Sequence, residues 1–349
     1  MGSESLRVAV LGASGYSGLE LLRLVLRHPR LTLAVATSEQ RAGRPVGDAF
    51  PSLRGLTDVA FEALDANAIA GRADIAMSCL HHGTAAVAVT TLRKAGLPVV
   101  DLSADFRLRD LAAYESWYGK HKEPALFGQS VFGIPELHRE AIAGSKLVAA
   151  AGCYVTTALL AMVPFLRAGL VEPGPVIVDA KSGVSGAGRK LDDGYLFAEL
   201  DGNVRAYNVA NHRHVAEMEQ EASLVAGRAV GITFVPQLLP VVRGIAASVY
   251  LRPARKLTTE SASAVLAEAY RAEPFVRALP AGEAPSLQAV RGSNFCDVSA
   301  FVDERNGTLI ALATLDNLVK GAAGQMVQCL NLMMGWDETL GLLEAPLVP

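Results

Sequence analysis

The sequence predicts an α/β fold divided into two domains. Three observations lead there. The chain has 349 residues, 51% hydrophobic and 19% charged, which is enough to bury two cores and long for one. Residues 6–37 read as an apolar strand, a glycine-rich turn, an amphipathic helix and a second apolar strand, and strands and helices alternate after them. Beyond residue 150 the character changes. A lone cysteine follows a run of small residues, Ala149-Ala-Ala-Gly-Cys-Tyr154, and stands just before a strongly apolar helical stretch.

Composition narrows the function. The net charge of −3 offers no basic footprint for nucleic acid. The four cysteines, Cys79, Cys153, Cys296 and Cys329, are far apart and form no CxxC pair, which argues against a zinc ribbon or a disulfide framework and suits a reducing cytoplasm. His81-His82 lack a Cys or Glu at ligand spacing, so no metal is expected. No apolar run is long enough to span a membrane, and the first strand begins too early to leave room for a signal peptide.

Taken in order, Leu6–Leu11 is the first strand and Gly12-Ala-Ser-Gly-Tyr-Ser-Gly18 the turn, with a helix over Leu19–Arg27 and a second strand over Leu31–Thr37. Such a unit aims loop amides and a helix N-terminus at a pyrophosphate. Gly12, Ser14, Gly15, Tyr16, Ser17 and Gly18 are therefore candidate dinucleotide contacts, although the spacing is GxxGxxG and not GxGxxG. The end of the second strand selects between NAD and NADP. There Thr37 and Ser38, with Arg41 and Arg44 beyond, suit a 2′-phosphate, whereas Glu39 suits a free 2′-hydroxyl. A strand over Asp74–Cys79, a helix over Ala85–Ala95 and a strand over Pro98–Leu102 follow. Ligands of parallel sheets bind at the carboxyl ends of strands, so Ser78, His81 and Ser103–Arg107 are candidate lining residues.

The second half holds the reactive groups. A helix is expected from about Thr156 to Arg167, and its N-terminus favours a thiolate at Cys153. A buried packing role is the alternative for any single cysteine. A strand over Pro175–Ala180 leads into Lys181-Ser-Gly-Val-Ser-Gly-Ala-Gly-Arg189, whose Gly183 and Gly186 allow a ligand close to the backbone. His212 and His214 flank Arg213 just before a helix that begins near Val215. They are either a surface capping cluster or the source of a general acid/base for a cysteine enzyme. Glu217, one turn into that helix, is placed to orient an imidazole.

Several motifs occur together in a nearly end-to-end match: Gly12–Gly18, Asp101-Leu-Ser-Ala-Asp-Phe-Arg107, Gly133-Ile-Pro-Glu-Leu137, Ala151-Gly-Cys-Tyr154, Ser182-Gly-Val-Ser-Gly-Ala-Gly-Arg189, His212-Arg-His214, Arg243-Gly-Ile245 and Asp316-Asn-Leu-Val-Lys-Gly321. In this combination the chain resembles the N-acetyl-γ-glutamyl-phosphate reductases, arginine-pathway relatives of aspartate-semialdehyde dehydrogenase. The resemblance implies a Rossmann NADP-binding domain over 1–152 and an α+β catalytic and oligomerisation domain over 153–316 on a mostly antiparallel sheet. It also implies a final segment, 317–349, with a helix from about Leu318 to Met334 packing back on the first domain. In such an enzyme Cys153 attacks the γ-acyl phosphate, a thioester forms, and NADPH reduces it to the semialdehyde.

Within that resemblance His212, then His214, is the proton partner. Arg107 and Arg243 are candidates for the anionic ends of the acyl phosphate, and Asn317 lies near the nicotinamide. A homo-oligomer, in particular a tetramer, is also implied. The chain departs from the family pattern at Val155, where Pro is usual, and at Glu39, where Arg is usual. A sister branch, which reduces glutamyl or aminoadipyl phosphate on a small acidic carrier protein, also tends to carry Ser-Glu after strand two. The Ser182–Arg189 loop favours the acetyl-glutamyl branch. An aspartyl-phosphate enzyme and a non-catalytic dinucleotide sensor are the remaining alternatives. The Cys-Tyr and His-Arg-His pairings disfavour the first, and the nucleophile itself disfavours the second.

Overall fold

The structure, a computed structural model, describes residues 5–189 and 191–348; the outermost parts of the expected domains, residues 1–4 and 349, lie outside them. The chain forms two compact units. One comprises the residues up to Ala151 together with Ala322–Leu343, and the other Gly152–Gly321 with the residues from Glu344 onward.

In the first unit, seven strands form a sheet: β1 (Leu6–Leu11), β2 (Leu31–Thr37), β3 (Phe61–Glu62), β4 (Ile75–Ser78), β5 (Val99–Asp101), β6 (Val131–Gly133) and β7 (Leu147–Ala150). Their order is β3-β2-β1-β4-β5-β7-β6, and every pairing is parallel. A parallel sheet is covered on both faces. Accordingly Val8–Leu11 of β1 and all of β7 are buried without alternation. The covering helices include α1 (Tyr16–Arg27), α2 (Thr84–Lys94) and α4 (Pro135–Ile142); α3 (Leu111–Tyr118) lies in the segment between β5 and β6. Leu21, Leu22, Leu24 and Val25 are the buried stripe of α1. The helix starts at Tyr16, not Leu19, so the glycine turn itself supplies the first helical turn. Strand order reverses between β1 and β4, and the crevice of such a fold opens at their carboxyl ends.

The second unit begins with α5 (Cys153–Arg167), in which Tyr154–Leu166 are all buried. The helix starts three residues before the expected Thr156. Gly152 takes the extended N-cap conformation (φ −66°, ψ 150°), so Cys153 is the first helical residue. Seven strands follow: β8 (Val176–Gly183), β9 (Arg205–Ala206), β10 (Ile232–Leu239), β11 (Ile245–Leu251), β12 (Val276–Ala278), β13 (Cys296–Asp303) and β14 (Thr308–Leu315). They form a mixed sheet in the order β12-β13-β14-β11-β8-β10-β9. The β8–β10 and β12–β13 pairs are parallel and the other four antiparallel. Burial alternates along β8, β10 and β11, the signature of a sheet with one face in the core. Helix α5 packs on β11 and β14, beside α6 (His214–Ala226), and α7 (Thr259–Ala269) packs on β13.

The end of the chain differs from the single helix expected over Leu318–Met334. A π-helical turn, Val319–Ala323, precedes α8 (Gly324–Met333). The cause is the bond from the Gly321 N–H to the Asp316 carbonyl, five residues back, at 2.9 Å. Only Ala322–Leu343 joins the first unit. There His28 bonds Asn331 (3.1 Å) and stacks on Trp336, and Arg139 pairs with Glu338 (3.0 Å). Residues 317–321 belong to the second unit, as does the end of the chain, where the Leu347 N–H bonds the Arg291 carbonyl at 2.8 Å.

Candidate active site

At the carboxyl end of β1, Gly12 has φ +70°, and a Cβ there would lie 2.9 Å from the Cys79 carbonyl after β4. A Cβ on Gly18 would come within 2.5 Å of the Gly12 carbonyl. Gly15 is the N-cap of α1 and has no side chain to cap it, so the amides of Tyr16, Ser17 and Gly18 head an uncapped helix. That cradle suits the pyrophosphate of a dinucleotide. The end of β2 is laced to the turn. Thr37 Oγ1 accepts from the Gly12 N–H (3.0 Å), and Ser38 Oγ donates to Ser14 Oγ (2.8 Å). The Glu39 carboxylate is turned toward β3, accepting from the Leu64 N–H at 2.8 Å. Arg41 lies over the Phe50 ring and Arg44 bonds the Asp48 carbonyl.

Ser78 is placed differently from expectation. It has no exposed surface, its carbonyl accepts from Leu102, and it faces Asp101 across the β4–β5 register. It supports the crevice floor and does not line it. Burial pushes the Asp101 carboxyl up to about 6, against the stabilising hydroxyls of Ser103 and Ser78. The neighbouring Asp105 is fully buried and accepts from the Gly83 and Ala86 N–H groups and the Tyr114 hydroxyl, so it caps α2. Arg107 is buried at the end of this loop, donating to the Leu102 carbonyl at 2.6 Å. His81 is exposed.

In the second unit, Cys153 is half-buried in the first turn of α5, where the positive end of the helix dipole favours a thiolate. The Gly152 N–H donates to Glu217 Oε2 at 3.2 Å. Glu217 is fully buried. Its carboxylate ties α6 to the start of the Cys153 helix, and its charge raises the proton affinity of His212.

The His212 ring lies among Tyr154, Tyr207, Phe234 and His214, with centroids 4.7–5.8 Å away. Burial first, then His214, pushes its pKa down to about 3. Its Nδ1 accepts from the His214 N–H at 3.2 Å, so the neutral ring carries its proton on Nε2. His212 is therefore an Nε2–H donor at neutral pH, and a proton added at Nδ1 would break the His214 bond. Two residues missed in the sequence complete the wall. The Tyr207 hydroxyl donates to the Tyr154 hydroxyl (3.0 Å), which donates to the Gln237 carbonyl (3.3 Å). Burial pushes both phenols up. Tyr207 carries no spacing signal of its own. Tyr154 could have been found from its place beside the cysteine.

The remaining candidates sit around the end of β14. A Cβ on Gly183 would strike the Val242 carbonyl at 2.7 Å, so the close approach of the chain's own backbone requires this glycine. Gly186 packs near Ser182 Oγ and is more open. Asn317 is engaged at both ends: its Oδ1 accepts from the Gly244 N–H (2.7 Å) and its Nδ2 donates to Ser185 Oγ (3.0 Å). It clamps the glycine loop to the Arg243–Gly244 turn. Arg243 faces the buried Asp316 at 3.5 Å. Among the described residues no group of three or more His, Cys, Asp or Glu is placed to hold a metal ion, and no helix is long and apolar enough to cross a membrane.

A dinucleotide-binding α/β unit followed by a unit with a cysteine at a helix N-terminus is the make-up of a nicotinamide-dependent oxidoreductase. Comparison with known proteins agrees. Residues 7–145 match the NAD-binding domain of semialdehyde dehydrogenase and residues 153–317 its dimerisation domain. The N-acetyl-gamma-glutamyl-phosphate reductases of Citrifermentans bemidjiense and Geobacter sulfurreducens are 47% and 48% identical over 345 residues, covering 99% of this chain and all of theirs. That of Desulforudis audaxviator is 44% identical over the same span. Solved structures of aspartate semialdehyde dehydrogenase share the fold. The Vibrio cholerae enzyme II has a TM-score of 0.73 at 17% identity, covering 95% of this chain and 99% of its own. The NADP complex from Candida albicans has 0.71 at 16%, with the same coverage. The chain belongs to the N-acetyl-gamma-glutamyl-phosphate reductase branch of the semialdehyde dehydrogenase family.

Proposed function

We propose that this protein reduces N-acetyl-γ-glutamyl phosphate to N-acetyl-glutamate 5-semialdehyde in arginine biosynthesis, through a thioester on Cys153. The observation that carries the reading is the cysteine in the first turn of α5, in a chain whose full-length relatives are reductases of that name. The Cys153 thiolate attacks the γ-acyl carbon, the C–S bond forms, and the C–O bond to phosphate breaks. The resulting thioester is a far better hydride acceptor than a carboxylate. NADPH, when bound, supplies the hydride. The oxyanion that develops is stabilised by the first amides of α5 and by the Nε2–H of His212. A neutral imidazole does this without accepting a proton. The balancing proton, from His214 or solvent, goes to the departing phosphate when the C–O bond breaks. Collapse of the tetrahedral centre after hydride transfer needs none, releasing the aldehyde and restoring the thiolate.

Support for the cofactor comes from the Gly12–Gly18 cradle and the Ser14–Ser38 hydroxyl pair, which together fit a dinucleotide with a 2′-phosphate. Glu39, drawn off by Leu64, does not oppose it. Arg107 and Arg243 are the groups offered to the substrate's anions. We also infer a cytoplasmic homo-oligomer, a tetramer. The family's dimerisation domain covers residues 153–317, and Ile177 on β8 is 46% exposed on the sheet's open face. Light scattering tests the assembly.

The activity is tested in reverse, as phosphate-dependent reduction of NADP⁺ with free N-acetylglutamate semialdehyde beside a carrier-linked glutamate semialdehyde. Turnover of the free substrate is expected. Turnover of the carrier-linked one alone overturns the reading.

A further inference from the structure

Asp316 closes β14 and has no exposed surface. An isolated carboxylate at such a depth is costly unless hydrogen bonds and counter-charges surround it. Here every oxygen is used, and the contacts reach three places in the second unit: the turn that follows, Gly292 and Arg243. Oδ1 accepts from the N–H groups of Leu318 (2.8 Å) and Val319 (3.2 Å). Oδ2 accepts from the Gly292 N–H (2.7 Å) and faces Arg243 Nη1 at 3.5 Å. The backbone carbonyl of the same residue accepts from the Gly321 N–H at 2.9 Å, closing the π-helical turn. That turn seats Gly321 against the nucleophile. A Cβ built on Gly321 would lie 2.8 Å from Cys153 Cβ, and no real pair of carbons comes so close without displacement. The next residue, Asn317, ties the same segment to Gly244 beside Arg243.

We propose that Asp316 is a positioning residue for two catalytic parts at once: its carboxylate aims the Arg243 guanidinium, and the turn it nucleates sets Gly321 as the floor that orients Cys153. Neither role requires Asp316 to touch substrate. The proposal rests on Cys153 as the nucleophile and Arg243 as an anion-binding group. Its test therefore includes a readout that needs neither substrate nor cofactor.

That readout is the alkylation rate of Cys153 by iodoacetamide in the full-length enzyme, followed by mass spectrometry on the Cys153 peptide. It is paired with kcat and KM for phosphate and semialdehyde. Asp316→Asn keeps the volume and one acceptor oxygen but turns an amide N–H₂ toward Gly292 and Arg243. It should raise KM for phosphate about tenfold or more, and change the alkylation rate at least several-fold. Arg243→Gln should raise KM and leave alkylation alone. Gly321→Ala should slow alkylation and lower kcat about tenfold or more, with KM within about twofold. In the double variant Asp316→Asn/Arg243→Gln the KM effects should not multiply, because both remove one arm. A folded Asp316→Asn with KM and alkylation both within about twofold of the parent overturns the proposal, as do multiplying KM effects. Should Asp316→Asn fail to fold, Gly321→Ala decides alone: unchanged alkylation at Cys153 overturns it. Absence of any reductase turnover alongside altered alkylation would instead sink the functional reading and leave the positioning intact.

Discussion

Replacing Asp101 by Asn should stabilise the protein, and by an amount that grows with pH. The carboxyl is fully buried beneath the dinucleotide crevice, and burial moves its pKa from the usual 3.8 to about 6. A group whose folded pKa lies above its unfolded one favours the protonated fold. Its contribution is complete below the unfolded value and is lost as pH rises through the folded one. A difference of about two pKa units corresponds to about 3 kcal/mol. Above pH 7 the ionised, buried Asp101 therefore burdens the first unit by roughly that much relative to pH below 4. An amide has no such burden. It also keeps an oxygen to accept from Ser103 Oγ, now at 2.5 Å, and gains an N–H₂ facing Ser78. About 2.5 kcal/mol of this falls between pH 4 and pH 8, and for a domain of this size 1 kcal/mol moves Tm by about 2–4 °C, so the Asp101→Asn advantage in Tm should increase by about 5–10 °C over that range. Scanning calorimetry of both proteins across that range measures the difference while titrations of groups not coupled to Asp101 cancel. A difference that stays flat, or shrinks toward pH 8, would refute the burial argument and would mean that Asp101 is ionised in the fold at little cost.

Three further outcomes are expected. Cys153→Ser should lower kcat by several orders of magnitude with NADPH binding nearly intact, since a serine hydroxyl is not ionised near pH 7; activity within tenfold of the parent removes Cys153 as the nucleophile. His212→Asn should cost about 10²–10³ in kcat and more than His214→Asn, because only the first loses the Nε2–H donor. His212 is already neutral above about pH 3, so any acid limb of the kcat/KM profile between pH 5 and 7 should survive that substitution, and its disappearance would show that His212 titrates in catalysis. Arg41→Ala with Arg44→Ala should raise KM for NADPH and leave KM for NADH unchanged, and an equal effect on both would give the ribose to Glu39.

The β1–α1–β2 unit was legible because its signals are local: a buried strand has no alternation, a helix has its stripe, and the glycines between them have a mechanical reason. The second sheet was not legible strand by strand, because its pairings join segments as distant as β8 and β14 through β11, and no local pattern encodes that order. Cys153 was found, but its helix was started three residues late; the N-cap there is a glycine, which sends no side-chain signal. Glu217 stands out for its place one turn into α6, but its bond to Gly152, 65 residues away in sequence, is beyond any local pattern. Asp316 opens the Asp316–Gly321 motif, but an aspartate after an apolar strand reads as an ordinary turn residue.

The glycines show most sharply what a motif does and does not reveal. A glycine-rich loop is commonly read as clearance for a ligand. In this chain the space above three such residues is filled by the protein itself: Gly18 by the Gly12 carbonyl, Gly183 by the Val242 carbonyl, and Gly321 by Cys153 Cβ. The clearance is thus indirect. Backbone layers stack without intervening side chains, and this brings β1 against the head of α1, the Ser182–Arg189 loop against the Arg243 turn, and the π-helical turn against Cys153. Any ligand then meets amides and hydroxyls that are fixed by these contacts before it arrives. Preorganisation of that kind is what an oxyanion site needs, because donors that must move during reaction lose their advantage over water. The glycines of this family signature act one layer behind the chemistry, and substitutions at them should damage geometry before they obstruct binding.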